Sequence, residues 1–261
     1  MKKFFTKLFD IITKDTKSII ITGILFLFLY TVFMIGTFYF TIPLNSIVSV
    51  PGKTHDLSEE IESISDNTNL HIVSVKSFYA ENRSDIFRFM WRQKEIFESY
   101  HASIFGSQEE AREGYIERGT ISIEADVEKE GVLKTYLVNE YGEEKGPSLY
   151  EDIVFSEDTV GNSDTLAIAL MIKQLAENRN QSTLNKNVAI TGNMDKQGNA
   201  LPVGSVPIKA ITAAKNDADY FIVPQEHYKE AVNAKEENNL SLEIIGVESV
   251  GEAYEFLQDL Q

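Results

Sequence analysis

Ser163, Thr191 and Lys209 are the residues whose types and placement could do chemistry together. A serine hydroxyl is a weak nucleophile until a base takes its proton, and lysine serves as that base only while its amine is neutral. Two features would hold Lys209 neutral. It falls in the first turn of a helix expected from Val206, where the positive end of the helix dipole disfavours a cation. Its neighbours Val206, Pro207, Ile208, Ala210 and Ile211 are apolar, so desolvation acts in the same direction. Thr191 could hydrogen-bond the amine and hold it in place. Ser163 precedes an apolar helix, so N–H groups there could receive an oxyanion, although a serine in that position is a helix cap by default. The histidines (His55, His71, His101 and His227) are scattered, with neither zinc-helix spacing nor a motif-like distance from Ser163. That favours a lysine base over a Ser-His-Asp triad. The chain has no cysteine, which excludes disulfides and thiolate metal sites, and no metal or cofactor is expected.

The elements that must position these residues alternate in type. Asn187 to Thr191 reads as a strand, and Val206 to Lys215 as a helix with Ser205 as N-cap and Pro207 in its first turn. Tyr220 to Val223 is a strand stopped by Pro224, Gln225 to Glu237 a helix, Leu242 to Val247 a strand and Val250 to Leu260 a closing helix. Leu166, Ala167, Ala169, Leu170, Ile172 and Leu175 form the buried face of the helix after Ser163. This alternation predicts an α/β sandwich.

Upstream the patterns are more mixed. His71 to Phe78 is a β-branched strand. Ser84 or Asp85 can cap a helix whose stripe runs through Ile86, Phe87, Phe89, Met90, Ile96, Phe97 and Ile104, with Trp91 packing among them. Gln108 to Arg118 is a charged helix. Thr120 to Val127 alternates with period two, Glu128 to Gly131 turns, and Val132 to Val138 returns, which predicts a hairpin. Tyr141 to Pro147 reads as a polar loop and Asp152 to Phe155 as a short strand leading into the Ser163 turn.

Charge is unevenly distributed. The net charge is −16, yet residues 1–17 hold five lysines against Asp10 and Asp15. The acidic remainder makes nucleic acid an unsuitable partner. No charge occurs from Ser18 to Gly52, and residues 18–42 are rich in Ile, Leu and Phe. At ~1.5 Å rise per residue such a run spans a ~30 Å hydrocarbon core with some tilt. It ends in Phe38-Tyr39-Phe40 and then Pro43, without a small-residue cleavage site, so the reading is one retained transmembrane helix. The lysines before it place residues 1–17 in the cytoplasm and the C-terminal domain outside, a single-pass protein of the cell membrane. Residues 43–55 are then a linker and residues 56–261 one extracytoplasmic domain.

Thr191-Gly192, Gly198, Pro202, Gly204 and Lys209 together resemble the Lon protease proteolytic domain. That family reads Thr-Gly, then Gly, then Pro-Ile-Gly-Gly with the catalytic lysine four residues on. Ser163 falls where the family has its nucleophile, with Gly161-Asn162-Ser163-Asp164-Thr165 in place of Gly-Pro-Ser-Ala-Gly. Val50 to Leu57, the strand near Leu70–Phe78 and the Phe87–Phe105 stretch resemble bacterial membrane-anchored, PDZ-containing Lon-like proteases. The resemblance implies the Lon-type α/β (ribosomal S5 domain 2-like) fold, a Ser163 nucleophile with Lys209 as base, peptide or protein substrates and a hexameric homo-oligomer. Residues 119–147 are too few for a PDZ domain, and the hairpin is expected in its place. No Gly-x-x-x-x-Gly-Lys-Ser/Thr occurs, which implies hydrolysis without ATP. Asp164-Thr165 replaces the family's Ala-Gly, and an Asp164 paired with Lys209 would disarm the base. A catalytically degenerate, membrane-anchored binding scaffold is therefore the alternative reading.

Overall fold

The three residues Val188–Ile190 are fully buried, as in a strand covered on both faces, and the rest of the architecture follows from that. The computed structural model describes residues 20–36, 40, 42–59, 68–92, 100–151, 161–177 and 184–260. Its strands are Ser46–Asp56 (β1), Leu70–Tyr79 (β2), His101–Ile104 (β3), Val188–Ile190 (β4), Asn193–Met194 (β5), Ala200–Leu201 (β6), Tyr220–Pro224 (β7) and Glu243–Val247 (β8). Its helices are residues 20–36 (α1), Arg83–Arg92 (α2), Gln108–Glu151 (α3), Thr165–Ala176 (α4), Val206–Lys215 (α5), Tyr228–Asn238 (α6) and Val250–Asp259 (α7). One sheet has the order β3-β1-β2-β4-β7-β8, and β5 and β6 form a separate ribbon. From β2 to β8 the strands are parallel, while β1 runs antiparallel to both β2 and β3.

Side chains of the parallel strands alternate between two cores, as a period of two requires. Val188, Ile190 and Ile222 pack with Leu166–Ile172 of α4 and with Ala253 and Leu257 of α7. Ala189, Phe221 and Val223 point the other way, onto Val206, Ala210 and Ala213 of α5 and Ala231 and Ala234 of α6. The sandwich read from the alternating elements is thus present. Small residues let α5 lie close to the sheet, and α5 also packs on β1 and β2.

Several expected elements differ. The linker over 43–55 is largely strand β1, buried from Ser46 to Pro51, so the folded unit begins ten residues earlier than residue 56. Pro51-Gly52 looks like a linker signal in sequence but here marks a bulge, where the β1–β2 register shifts between Pro51 and Thr54. Ser74 stitches it, accepting from Lys53 N at 3.0 Å and donating to Lys53 O at 2.9 Å. A Cβ at Gly52 would sit 2.5 Å from Ser74 O, so the bulge needs glycine. Ile104 belongs to strand β3 and is exposed rather than on a helix stripe.

The hairpin in 119–147, and the loop at 141–147, are replaced by helix α3. The local β-branched alternation of 120–127 is overridden by its flanks. Val132, Leu133, Tyr136 and Leu137 recur at helical spacing and pack against α4. The helix breaks at Gly142 (φ 84, ψ 171), and Pro147 lies beyond that kink. Residues 1–17, the Ile96–Phe97 pair and the Asp152–Phe155 strand fall outside the described residues.

Residues 20–36 are helical and apolar, with Ile24 64%, Phe26 72% and Leu27 65% exposed. Among the described residues no helix is long and apolar enough to cross a membrane. The expected span of 18–42 includes residues 18, 19, 37–39 and 41, which are not described.

Candidate active site

The run Thr165–Ile172 buries the first two turns of α4 completely, and the turn before it, residues 161–164, is what the core presents to the site. Thr165 Oγ1 ties the turn by donating to Asn162 O at 2.7 Å. The Ser163 carbonyl accepts from Gly192 N at 2.8 Å and from Thr191 Oγ1 at 3.1 Å. Leu166 N in turn donates to Gly192 O at 3.1 Å, so the turn and the end of β4 are zipped together. A Cβ at Gly192 would lie 2.7 Å from Leu166 Cδ2 and 3.2 Å from Pro224 Cγ, which is why the residue after Thr191 carries no side chain.

Lys209 approaches from the other core. Its Nζ donates to Thr191 Oγ1 at 2.9 Å, and Thr191 is fully buried. A chain of hydrogen bonds therefore runs from the Lys209 amine through the Thr191 hydroxyl to the Ser163 carbonyl. The direction of each bond is fixed. Because Thr191 spends its proton on Ser163 O, it must accept from the amine. A neutral amine that donates one N–H to Thr191 keeps a lone pair for another group. Lys209 is 4% exposed, and burial pushes its pKa down to about 8, against an opposing effect of the Asp164 carboxylate. The Lys209 amine, the Thr191 hydroxyl and the Ser163 main-chain carbonyl are thus joined, and Ser163 itself is half-buried.

Two capping expectations change. Asp164, not Ser163, occupies the N-cap position of α4, and its side chain makes no cap hydrogen bond. Ser205 is at the N-cap position of α5 but is left-handed (φ 62, ψ 31) and likewise makes no side-chain cap bond. It stands where the family's second glycine would, and the backbone keeps the conformation that glycine favours. The loop before α5 is also held by His227, whose Nε2 accepts from Val203 N at 3.0 Å while Nδ1 meets Glu230 at 2.8 Å.

Asp164 is neither turned to solvent nor paired with Lys209. It is 7% exposed, and its Oδ2 accepts from Lys129 Nζ at 3.0 Å. Lys129 comes from α3 and is 4% exposed. Sequence reasoning missed Lys129 because a turn was expected at 128–131. Read as a helix, the stripe Val132, Leu133, Tyr136 and Leu137 puts Lys129 three and four residues back on the same face. A lysine in a buried stripe requires an acid, and that was the signal available.

Beside Asn162 opens a cavity of ≈ 240 Å³, walled by Lys129 and Val132 of α3, Met194 of β5, Leu201 of β6 and the 195–197 turn. Asn162, the residue before the serine, forms part of its wall, and the lining mixes apolar with polar side chains. The turn is rigid. Asp195 Oδ1 accepts from the N–H groups of Gln197 and Asn199, each at 2.9 Å.

Residues 158–258 match the model of the Lon protease (S16) C-terminal proteolytic domain. Over 74 residues the chain is 31% identical to the Lon protease of Aster yellows witches'-broom phytoplasma (strain AYWB), covering 28% of this chain and 9% of that protein. The chain thus spans less than a tenth of the length of the curated relative it matches.

Proposed function

We propose that this chain is a serine endopeptidase working through a Ser163–Lys209 dyad, a reading supported by the match of residues 158–258 to the model of the Lon protease (S16) C-terminal proteolytic domain. One observation carries the proposal: the Lys209 amine is buried, held by a threonine hydroxyl and, among the described residues, in contact with no acid, while the carboxylate that could have captured it is paired with Lys129. In this reading the Lys209 lone pair takes the Ser163 proton as Oγ attacks the peptide carbonyl. The N–H groups of the 161–164 turn stabilise the oxyanion. The protonated amine then returns its proton to the leaving amine, giving an acyl-enzyme and a free peptide N-terminus. Water, deprotonated by the same lysine, cleaves the ester and restores Ser163. Thr191 orients the amine throughout. The ion pair of Asp164 with Lys129 favours this reading over a degenerate scaffold.

The same proposal includes a membrane anchor formed by residues 18–42, supported by the exposed apolar surface of α1 and by the lysines before it. The domain would then act outside the cytoplasm, without ATP. The peptidase reading is tested by incubating the full-length chain in mild detergent with unfolded protein and peptide pools, without ATP, beside Ser163→Ala and Lys209→Ala. Cleavage abolished by both substitutions supports the dyad. Cleavage that survives either one rejects it. The orientation is tested by protease added to intact cells, which should digest the C-terminal domain; its full protection overturns the topology.

A further inference from the structure

Lys129 and Asp164 have no part in the steps above, yet both are almost completely buried and meet beside the serine turn. Removing two charges from water costs several kcal/mol per ion, so a buried pair needs a reason beyond stability. Asp164 is also turned away from the role its position offers. At the mouth of α4 a carboxylate ordinarily bonds the first free N–H groups, and this one makes no such bond. Its oxygen goes to α3 instead.

We propose that Lys129 is a positioning residue of the site: its buried ammonium holds the Asp164 carboxylate against α3, so that the acid following Ser163 does not pair with the amine of Lys209. The catalytic sense of this inference, though not its geometry, rests on the dyad reading. Asp164 is joined to the Lys209 amine by a short path, since its neighbour Ser163 accepts from Thr191, which accepts from Lys209. It is also the charge that acts on Lys209. The elements packed on α5 bring charges of their own: Lys53, His55 and Asp56 on β1, His71 and Lys76 on β2, and the lysines and glutamates of α6. Against the effect of burial, the charge that raises the Lys209 pKa is that of Asp164. Without Lys129, the carboxylate would remain in a buried site whose other ammonium is the base. Helix α3 thus supplies the cation that lets an aspartate stand beside this serine.

The test is a direct titration of the Lys209 amine, by NMR of the full-length chain in detergent with ¹³Cε-labelled lysine, the resonance identified by its loss in Lys209→Arg. Lys129→Met should raise the Lys209 pKa by about one unit or more, and Lys129→Met with Asp164→Asn should return it to the wild-type value or below. Should Lys129→Met fail to fold, Lys129→Gln keeps an N–H donor on the carboxylate without its charge, and should still move Lys209 upward. A Lys209 titration unmoved or lowered in the folded single variant overturns the proposal. Where cleavage is measured, a rise of one unit lowers the rate near neutrality about tenfold and leaves the alkaline plateau standing, whereas a structural defect lowers both. The titration needs no substrate. An inactive wild type with a shifted Lys209 leaves the positioning role intact, and an active one with an unshifted Lys209 removes it.

Discussion

Two lysines of this molecule are equally buried, each 4% exposed, and their surroundings are opposite. Lys129 on α3 has a carboxylate at 3.0 Å; Lys209 on α5 has a threonine hydroxyl at 2.9 Å. The first is paired with an acid, and the second is an amine that burial moves toward neutrality. A single acid, Asp164, stands near both and is paired with Lys129, the lysine to which the proposed mechanism gives no step. In the proposed mechanism, burial alone therefore does not make a base. The partner decides.

The largest effect that would break this contrast is on Lys209. Lys209→Met should lower cleavage by a factor of about 10³ or more, as expected when one member of a catalytic unit is lost. It should also stabilise the fold. The folded-state pKa is depressed from 10.5 to about 8, so below about pH 8 the folded protein must charge a buried amine, a penalty on the order of 3 kcal/mol. Between about pH 8 and about pH 10.5 the unfolded chain binds that proton and the folded protein does not, so wild-type stability rises relative to the variant. Urea melts of both proteins should show the variant ahead at pH 7 and the gap narrowing through that window. A variant less stable at pH 7 would contradict the contrast.

Next in size is Lys129→Met, which strands a buried carboxylate and should destabilise by about 3–5 kcal/mol, whereas the double variant with Asp164→Asn should recover most of the loss. A double-mutant cycle in urea measures the coupling. Gly192→Ala pushes a methyl toward Leu166 and Pro224, and should cost about 1–3 kcal/mol while displacing the Ser163 carbonyl from Thr191. Thermal melts and peptide cleavage should fall together. The smallest effect sharpens the frame around Lys209. Ser205→Gly relieves a left-handed non-glycine residue and should stabilise by about 1 kcal/mol, read as a raised Tm.

The positions of Lys209 and Thr191 were legible in the sequence because each is set locally. Lys209 sits in the first turn of a helix with an apolar surround, and Thr191 directly follows a strand, so both positions follow from patterns a few residues long. The parallel half of the sheet was legible for the same reason. The wall of the site was not. Thr120–Val127 alternates like a strand, and helix α3 wins only because Val132, Leu133, Tyr136 and Leu137 find α4, a contact no local pattern contains. With α3 misread, Lys129 fell in a turn, and the partner of Asp164 was invisible. Strand β1 was concealed by Pro51-Gly52, whose bulge makes sense only opposite Ser74.

The measurement that bears most directly on the central claim is the pH dependence of kcat/KM for a cleaved peptide, from about pH 6 to about pH 10. A neutral Lys209 base predicts a rate that rises through an apparent pKa of about 8 to a plateau, and that Lys209→Ala abolishes at every pH. A profile flat across this range, or cleavage retained in Lys209→Ala, would show that Ser163 is activated by some other group and that the buried amine is not the base.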